Sequence, residues 1–554
     1  MLRLDGNRYE VSIRTRRTRF HWKARLSGAF TCAFAVLLSL LSNRAEAGWT
    51  AVATPPPGGG IANMALLTDG RVLVSGGDST STWSGWWTLS PDASGSYVNG
   101  TWARVGDSAW GHLFNPAFVL KDGSYWICGG EYVCPSSNLL NCGTQNGTWA
   151  DCERFDPISN TWSSAPSMAA GGVSDGVYDV PSALTNAGIV ILSADSSGNT
   201  FTYDPNAQAW SLDGTYSVSD IPGEGGSVLL PDGSVFAGAI RFDRYVGTSG
   251  LWHAVASTST IPGGTDSNEF TTSSSGEIGP FVLLYSGLVL VLGENSRNGL
   301  YDYVHDSWSL ADDTPAGPNP STPYNHGDTP ACVEPNGKVL TIVTDDQNGV
   351  GAHPGFFYEF DPSAAAGSQW TAIGYPAITS SKSGNPERTR MLALPKGNVS
   401  GLATGQILVS NLETNNTLWL YTPGTPAPSN AWKPTITSTP FSMFGTFVMS
   451  GTQLAGLTTG GDFGDDGKSA TNFPIVSLWS SAGQVSFART TVDSITPASG
   501  AAGTCWFTLP AGLASGTYAV HVSANGIDSS NTVNLTLPAL DLGPALVATE
   551  TALL

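Results

Sequence analysis

Four carboxylates and one arginine recur at corresponding places along the chain, shortly before a tight turn. They are Asp179, Glu224, Glu277, Asp328 and Arg388, and each carboxylate stands nine or ten residues before a turn glycine. Carboxylates that converge on one point repel one another, and a bound cation or a basic ligand group removes that repulsion. If the fold brings these residues together, they form a site for a divalent cation or a cationic group. The alternative is a solvated rim without a ligand.

The turns belong to a pattern that occurs seven times between residues 64 and 411. Each copy has an apolar run, a turn of the Asp-Gly type and a second run rich in β-branched residues, which predicts a β-hairpin. The turn glycines stand 45 to 68 residues apart. A period of about 50 residues is typical of a four-stranded propeller blade. The glycines are Gly70, Gly123, Gly188, Gly233, Gly287, Gly337 and Gly405.

We therefore expect an all-β fold built around a seven-bladed β-propeller. The first strand of every blade lines the central channel, so the four carboxylates and Arg388 are expected at the channel mouth. Trp49 precedes the first hairpin by itself. A strand around Trp49 is expected to complete the last blade, because closing the ring removes the exposed sheet edges.

Further residues carry a resemblance to a known repeat. Gly76-Gly77 follows a second strand, Phe155-Asp156-Pro157 and Tyr203-Asp204-Pro205 end third strands, and Trp162 lies in a fourth strand. These features resemble the kelch repeat, and the long blades are similar to the propeller of the galactose oxidase and glyoxal oxidase group. The resemblance covers about residues 49–432. It implies the fold strongly and the activity weakly, because kelch propellers have many functions.

The oxidases of that group hold copper with two tyrosines, one of them crosslinked to a cysteine, and two histidines. The matching residues here are Tyr324 and His326, but an asparagine separates them, and His521 lies inside a strand pattern. No cysteine is placed early in a blade that also offers a suitable tyrosine. We therefore expect no copper radical centre. A copper oxidase of alcohols or aldehydes is kept as the alternative.

The N-terminal segment reads as a signal peptide. A basic stretch precedes an apolar run over residues 26–41, and Ala45-Glu46-Ala47 has the form of a signal-peptidase site. Residues 1–47 are therefore expected to be removed, giving a protein that is secreted, periplasmic or on the cell surface. A membrane anchor is the alternative, and the export route, general secretory or twin-arginine, stays open. After removal we expect no membrane span.

Charge limits the partners of the mature chain. Residues 1–47 hold 9 of the 24 basic and 3 of the 44 acidic residues, which leaves 15 basic against 41 acidic residues and a formal charge of −26. Nucleic acid and anionic membranes are therefore poor partners for this chain.

The propeller is expected over residues 48–433, followed by a small domain over 434–537 and a loose tail over 538–554. Short alternating runs in the small domain predict a β-sandwich. The segment from Gly456 is similar to the immunoglobulin-like domain that follows the propeller in many secreted bacterial kelch proteins. Asp462, Asp465 and Asp466 in that segment offer calcium ligands, with a plain Asp/Gly turn as the alternative.

Six cysteines remain after processing, and four of them fall in one blade. In an exported protein disulfides are the default, and we expect the pairs Cys128–Cys152 and Cys134–Cys142. Their spacing does not fit a zinc site. Cys332 and Cys505 are expected to be free, buried thiols.

Aromatic residues of the first blade offer a second type of site. Trp83, Trp86, Trp87 and Tyr97 are candidates for stacking on sugar rings, with side-chain packing between blades as the alternative. We favour a monomeric binding or surface-interaction protein whose ligand is an extracellular glycan or protein. No cofactor is expected apart from a possible calcium ion. The alternatives are the copper oxidase and a structural envelope or adhesion module.

Overall fold

The computed structural model describes most of the chain from residue 47 onward and one short hairpin before it. The described residues are 3–5, 8–10, 47–76, 84–135, 143–144, 151–171, 177, 180–193, 198–217, 224–247, 249–272, 278–317, 323–345, 355–374, 386–411, 417–462 and 471–538. The chain divides into two units, residues 1–46 and residues 47–554. In the first unit β1 (Arg3–Asp5) pairs with β2 (Arg8–Glu10). No helix in the described ranges is long and apolar enough to span a membrane.

The second unit contains seven antiparallel sheets arranged around a ring. This is a seven-bladed β-propeller, as the repeat predicts. It opens with β3 (Gly48–Ala51). Blade 1 consists of β4 (Ile61–Leu66), β5 (Val72–Gly76), β6 (Gly85–Ser90) and β7 (Thr101–Arg104). Blade 2 consists of β9 (Ala117–Val119), β10 (Tyr125–Cys128), β13 (Cys152–Asp156) and β14 (Thr161–Ala165). Blade 3 consists of β15 (Ser182–Leu184), β16 (Val190–Ser193), β17 (Asn199–Asp204) and β18 (Ala209–Thr215).

Blades 4 to 7 continue the ring. Their strands are β19 (Gly226–Leu229), β20 (Val235–Gly238), β21 (Phe242–Val246) and β22 (Leu251–Ala254); β23 (Phe281–Leu283), β24 (Val289–Leu292), β25 (Asn298–Asp302) and β26 (Ser307–Leu310); β27 (Ala331–Val333), β28 (Val339–Thr344), β29 (Gly355–Phe360) and β30 (Trp370–Ala372); β31 (Thr389–Ala393), β32 (Ile407–Asn411) and β33 (Trp419–Thr422). Blade 2 carries an additional sheet of β8 (Trp110–Leu113), β11 (Tyr132–Pro135) and β12 (Gly143–Thr144). Short 3-10 helices cover Met168–Gly171, Thr258–Thr260, Pro386–Arg388 and Asn430–Trp432.

The N-terminal strand closes the ring. β3 pairs with β33 in blade 7, which places Trp49 opposite Tyr421. The Trp49 ring lies 4.8 Å from the Tyr421 ring and 5.0 Å from that of Phe357 in blade 6. The predicted closure by a strand at Trp49 is therefore confirmed.

Glycine is required at the turns between the first two strands of a blade. Six of the seven predicted turn glycines have positive φ angles, for example 79° at Gly70. A Cβ atom at Gly70 would also stand 2.6 Å from the Phe487 ring of the C-terminal domain. The seventh turn differs, because β31 and β32 are joined by a longer loop in which Gly401, not Gly405, has a positive φ of 87°.

Tryptophans of the fourth strands connect neighbouring blades. The indole N–H of Trp210 donates to Pro166 O at 2.8 Å, that of Trp308 to Ala256 O at 2.8 Å, and that of Trp370 to Asp312 O at 3.0 Å. Each acceptor lies just after the fourth strand of the preceding blade. The same contact therefore recurs in blades 3, 5 and 6, which fits the predicted role of these residues between blades.

The C-terminal domain is one curled sheet of nine strands. Its strands are β34 (Thr435–Ile436), β35 (Phe441–Met443), β36 (Thr446–Thr452), β38 (Ile475–Ser480), β39 (Val485–Val492), β40 (Ala502–Thr508), β41 (Gly516–Ala524), β42 (Ile527–Asp528) and β43 (Val533–Leu537). The first half of β39 pairs with β38 and its second half with β40, so β39 joins the two halves of the curled sheet. They enclose a core that includes Met449, Val476 and Phe507. The arrangement is compatible with the expected immunoglobulin-like domain.

One further strand leaves the C-terminal domain and enters the propeller. β37 (Gly460–Asp462) pairs with β23, the inner strand of blade 5. The Thr458 hydroxyl donates to Leu283 O, and the Leu283 N–H donates to Thr459 O at 3.1 Å. The C-terminal domain therefore extends into the channel. Nothing in the sequence pattern indicates this insertion.

Candidate functional site

A cavity of about 120 Å³ lies in the central channel. Its walls are the inner strands of blades 1, 2, 3, 4 and 7. On the remaining side the wall consists of Thr459 and residues 471–473 of the C-terminal domain. In the described sheets the inner strands of these five blades are edge strands, so their backbone N–H and C=O groups face the channel. The channel is thus partly filled by the C-terminal domain and partly open to a ligand.

Polar side chains surround one end of the cavity. We call Asn63, Ser182, Ser227 and Arg390 the polar collar, since all four line the cavity and stand among the first three residues of their inner strands. The inner strands begin at the end of the propeller that we call the mouth face. The sequence comparison placed the candidate ring nine or ten residues before the turn glycines, whereas Ser182 and Ser227 stand only six residues before them.

Apolar side chains surround the other end. We call this group the apolar floor; it consists of Leu66, Leu184, Leu229, Leu392, Phe473 and Ile495. The four leucines lie at or near the ends of their strands, whereas Phe473 and Ile495 come from the C-terminal domain. A concave site with a few polar groups above apolar walls is the usual form of a small-ligand pocket.

Hydrogen bonds between neighbouring blades fix the collar. The Ser227 hydroxyl donates to Ser182 O at 2.6 Å, and the Asn63 amide donates to His112 O at 2.7 Å. The Arg390 Nε donates to Ala62 O at 3.0 Å. These bonds join blade 4 to blade 3, blade 1 to the additional sheet of blade 2, and blade 7 to blade 1. The collar is therefore held in position by the ring itself.

Arg390 is nearly buried, with 6% of its surface exposed. Besides the bond to Ala62, its Nη1 donates to Glu387 O at 2.7 Å and to Thr389 O at 3.1 Å. Its Cζ lies 5.7 Å from the centre of the Phe114 ring, and Phe114 has a positive φ of 55°. A bulky residue rarely adopts this backbone conformation, and such strain concentrates at functional sites.

The predicted ring at the channel mouth is only partly described. Asp179 and Glu277 lie outside the described residues. Glu224 is half-buried in the turn before β19, and Asp328 is buried in the turn before β27 with a φ of 48°. Arg388 lies on the short helix before β31, with its Nε 3.5 Å from the Glu387 carboxylate. A cation site at this ring stays a prediction.

The histidine and tyrosine expected under the copper alternative lie inside the protein. His326 is fully buried with its ring stacked on Trp370 at 5.3 Å, and its Nδ1 is 3.2 Å from Ile342 O. Burial lowers the pKa of His326 to about 3, so the imidazole is neutral. Tyr324 packs against the Phe356 ring at 5.0 Å.

His521, the second histidine considered for copper, lies in β41 of the C-terminal domain. His521 stacks on Trp479 at 4.1 Å, and its Nδ1 stands 2.9 Å from the Asp528 carboxylate. Within the described ranges, no three His, Cys, Asp or Glu side chains stand together as a metal site. The expected absence of a copper centre stays a prediction.

The aromatic residues proposed for sugar stacking require a correction. Trp86 and Tyr97 are 0% and 2% exposed, so neither presents a face to a glycan. The Trp86 ring packs 4.5 Å from the Trp162 ring of blade 2. This contact is the packing between blades that was the alternative to sugar stacking. Trp87 is half-buried, and the Arg104 guanidinium covers its ring at 4.2 Å. Trp83 lies outside the described residues.

The structure contains a disulfide between Cys128 and Cys152, one of the two expected pairs. It joins directly opposed residues of β10 and β13. Cys142 lies outside the described residues, and the side chain of Cys134 is not described. Cys332 and Cys505 carry buried thiols, as expected. Of the three candidate calcium ligands, Asp462 lies in β37, and Asp465 and Asp466 fall outside the described part of the chain.

A buried pair of carboxyl groups was not foreseen from the sequence. Glu334 and Glu359 are 0% and 3% exposed. Asn336 Nδ2 donates to Glu334 at 2.8 Å, Lys338 Nζ donates to Glu359 at 2.6 Å, and the Tyr421 hydroxyl donates to Glu359. Burial, and then the charge of Glu359, raises the pKa of Glu334 well above its usual value. The protonated form of Glu334 is therefore favoured next to the Glu359 carboxyl group.

Comparison with known proteins finds distant structural similarities. No family model and no curated protein matches the chain. A fungal alcohol oxidase of the AA5 family in complex with copper shares 12% identity at a TM-score of 0.44, over 89% of this chain and 99% of the oxidase. A virginiamycin B lyase from Staphylococcus aureus with quinupristin gives 10% identity and a TM-score of 0.41, over 68% of this chain and 100% of the lyase.

A third structure, YCF48 bound to a peptide, gives 12% identity and a TM-score of 0.38, over 69% of this chain and 97% of YCF48. The seven-bladed β-propeller is defined by the sheets of the chain itself, and an oxidase-family structure is one of its distant neighbours. Identities of 10 to 12% carry no inference about the reaction or the ligand.

Proposed function

We propose that the protein is an extracellular binding propeller that takes a group of its ligand into the channel cavity. The cavity between the polar collar and the apolar floor is the observation that carries this proposal. The collar offers hydroxyl, amide and guanidinium donors together with the backbone groups of five edge strands. These groups suit a ligand with oxygen acceptors, such as the terminal unit of an extracellular glycan.

The chemistry of the cavity favours binding over catalysis. Among the described residues that line it there is no His, Cys, Asp, Glu or Lys. General acid or base catalysis and most covalent mechanisms depend on one of these side chains or on a tyrosine, and the tyrosine of the lining, Tyr125, is buried. The lining can therefore orient a ligand through hydrogen bonds, but it supplies no proton acceptor of suitable strength.

Two features support an extracellular location. The disulfide Cys128–Cys152 is typical of an oxidising compartment. The N-terminal segment has the form of a signal peptide with a cleavage site after Ala47. Both features fit a protein that meets its ligand outside the cytoplasm.

Ligand-observed NMR on the full exported protein tests the proposal. The probes are glucose, galactose, N-acetylglucosamine, glucuronate, isobutyrate and isobutyramide. We expect at least one probe to bind, and Ser182→Leu to abolish its binding, because this change adds apolar bulk at the collar. Leu212→Ser is the matched control, because Leu212 is 61% exposed on β18.

Each result decides the proposal. Binding that Ser182→Leu removes and Leu212→Ser leaves unchanged supports it, provided that both variants melt near the parent temperature. If no probe binds, or if binding is insensitive to Ser182→Leu, the channel is not the binding site.

A further inference from the structure

We infer that the group bound in the channel is a short, extended segment of peptide, held by main-chain hydrogen bonds to the inner strands of blades 1, 2 and 3. This inference rests on the proposed function, because it names the chemical class of ligand for the same cavity. A peptide has the oxygen acceptors that the polar collar suits, and it also has N–H donors.

The chain itself provides an example of a peptide that pairs with an inner strand. β37 is antiparallel to β23 and pairs with the edge of β23 that faces the channel. The Leu283 N–H donates to Thr459 O at 3.1 Å, and the Leu283 carbonyl accepts from the Thr458 hydroxyl. The channel therefore already holds one extended segment by strand addition to the edge of a sheet.

Other contacts of the C-terminal domain use equivalent carbonyl groups. The Thr459 hydroxyl donates to Leu229 O at 2.8 Å, and the Thr471 hydroxyl donates to Ala393 O at 3.3 Å. Leu229, Leu283 and Ala393 have the same position in blades 4, 5 and 7, because each precedes the residue whose N–H bonds across the first hairpin of its blade. The C-terminal domain thus supplies a donor to the channel-facing carbonyl group of three blades.

The equivalent residues of blades 1, 2 and 3 line the cavity, and they are Leu66, Val119 and Leu184. The next residue of each strand bonds across the hairpin at 2.8 Å: Leu67 to Arg71 O, Leu120 to Ser124 O and Thr185 to Ile189 O. Residues of an antiparallel strand alternate between bonding the partner strand and facing away from it. Leu66, Val119 and Leu184 therefore present their N–H and C=O groups to the channel. Within the described ranges no other residue forms a hydrogen bond with these groups.

The chemistry of these edges favours a neutral peptide. Each channel-facing residue offers one donor and one acceptor, and a peptide offers the same two groups in return. A carboxylate can only accept, and an ammonium group can only donate. The described lining also contains no Asp or Glu to pair with an ammonium group. A sugar hydroxyl both donates and accepts, but β37 provides the example of main-chain pairing in this channel.

The size of the cavity restricts the peptide to small residues. A protein cavity of about 150 Å³ accepts benzene, a molecule of six heavy atoms. The channel cavity, at about 120 Å³, accepts a group of similar or slightly smaller size. This is the size of a glycine or alanine residue with an adjoining peptide bond. The apolar floor favours alanine, because a methyl group can pack against it.

Nearly isosteric probes test the assignment on the full exported protein. N-acetylalanine N′-methylamide has two peptide N–H groups. An oxygen replaces one of them in N-acetylalanine methyl ester and the other in O-acetyllactic acid N-methylamide. In titrations followed by ligand-observed NMR, we expect the diamide to bind about tenfold more tightly than at least one of these two esters, because a buried carbonyl group loses its donor. Among the probes of the first series, we expect isobutyramide, the one primary amide, to bind.

A variant and a structure locate the effect. Val119→Phe adds bulk at the cavity wall and is expected to abolish binding of the diamide. Val304→Phe is the matched control, because Val304 is 67% exposed, and should leave binding unchanged. If Val119→Phe does not fold, a crystal structure of the parent with the diamide decides. It should show the probe hydrogen-bonded to the main chain of Leu66, Val119 or Leu184, and bonds to collar side chains alone would overturn the assignment.

The outcomes separate the two proposals. If the diamide and both esters bind equally, or if glucose or galactose binds in the channel and the diamide does not, the peptide assignment is wrong and the binding function stands. If neither the diamide nor any probe of the first series binds, both proposals are wrong.

Discussion

Glu334 and Glu359 interact as a buried pair of carboxyl groups in blade 6, and the charge of Glu359 helps to raise the pKa of Glu334. Lys338 and Tyr421 stabilise the charge on Glu359, and Asn336 holds Glu334. Two buried carboxylates that interact cannot both be ionised without strong repulsion. The pair therefore favours the native state only while Glu334 keeps its proton.

This pair makes stability depend on pH in a sense opposite to that of most carboxyl groups. The pKa of Glu334 is raised in the folded protein, chiefly because the group is buried. Its contribution to stability is complete below the unfolded-state pKa and is lost as the pH rises through the folded-state pKa. Glu334→Gln imitates the protonated form at every pH. We expect this variant to match the parent in acid and to be more stable at neutral and alkaline pH.

Melting temperatures measured between about pH 4 and about pH 8 check this expectation. Asp107→Asn, an exchange at an exposed carboxylate, is the control and should give a nearly constant difference from the parent. A Glu334→Gln variant that becomes less stable relative to the parent as the pH rises would show that Glu334 is ionised in the native state.

The second prediction concerns ring closure. Trp49→Ala removes the ring that contacts Phe357 and Tyr421 and the indole N–H bond to Gly374 O. We expect a loss of about 2 kcal/mol or more in the free energy of unfolding. Denaturant titration measures it, with Ile158→Ala, at a residue 67% exposed, expected within about 0.5 kcal/mol of the parent. Equal effects of the two changes would contradict the closing role of Trp49.

The disulfide gives the third prediction. Cys128 and Cys152 are separated by 24 residues, and a bond that closes a loop of this size stabilises a protein by about 2–4 kcal/mol. The double variant Cys128→Ser with Cys152→Ser should lose that amount in denaturant titrations under non-reducing conditions. Cys332→Ser is the control for changing a buried thiol. Mass spectrometry of the unreduced protein should show the Cys128–Cys152 peptide pair, and two free thiols there would refute the assignment.

The fourth prediction is that the protein has no copper radical chemistry. Copper-treated protein should show no radical absorption and should release no peroxide from galactose, glyoxal or simple alcohols. His326→Ala should lower stability, because it leaves a gap against Trp370. His305→Ala is the control, because its side chain is 75% exposed. Oxidase turnover that disappears in His326→Ala and persists in His305→Ala would overturn this prediction.

The channel mouth gives the fifth prediction. If Asp179, Glu224, Glu277 and Asp328 converge, calcium should bind there and raise the melting temperature, and its affinity should fall as the carboxylates become protonated in acid. Calorimetry with calcium chloride measures the binding. Glu224→Gln combined with Glu277→Gln should abolish it. A parent that binds no calcium, together with a double variant of higher stability, would identify a solvated rim.

The sequence predicts the propeller because the repeat depends on local chemistry. A turn glycine such as Gly233, with a φ of 84° and no atom within 4 Å of where a Cβ would stand, is required by its own hairpin and by nothing distant. The burial of Trp86 could not be predicted in this way. An aromatic side chain between two blades and one on an exposed platform have the same local sequence, and only the position of Trp162 distinguishes them.

Other parts of the site depend on contacts between distant residues. Glu334 stands in a polar turn sequence that suggests the surface, yet Tyr421 and Trp432 from later segments help to enclose this region. The pairing of β37 with β23 joins residues about 180 positions apart and has no periodic signature. The polar collar was missed for a related reason, since its residue types differ from blade to blade.

The closure of blade 7 has a consequence for the order of folding. β3 pairs with residues about 370 positions later in the chain, so it must remain without its partner until nearly the whole propeller has been synthesised. Contacts of such long range slow folding and leave strand edges exposed in the meantime. A chain that stops before residue 419 keeps both β3 and the edge of β32 unpaired. Nascent and truncated forms are therefore the species most exposed to aggregation. During synthesis β3 needs protection from aggregation for longer than any other propeller strand.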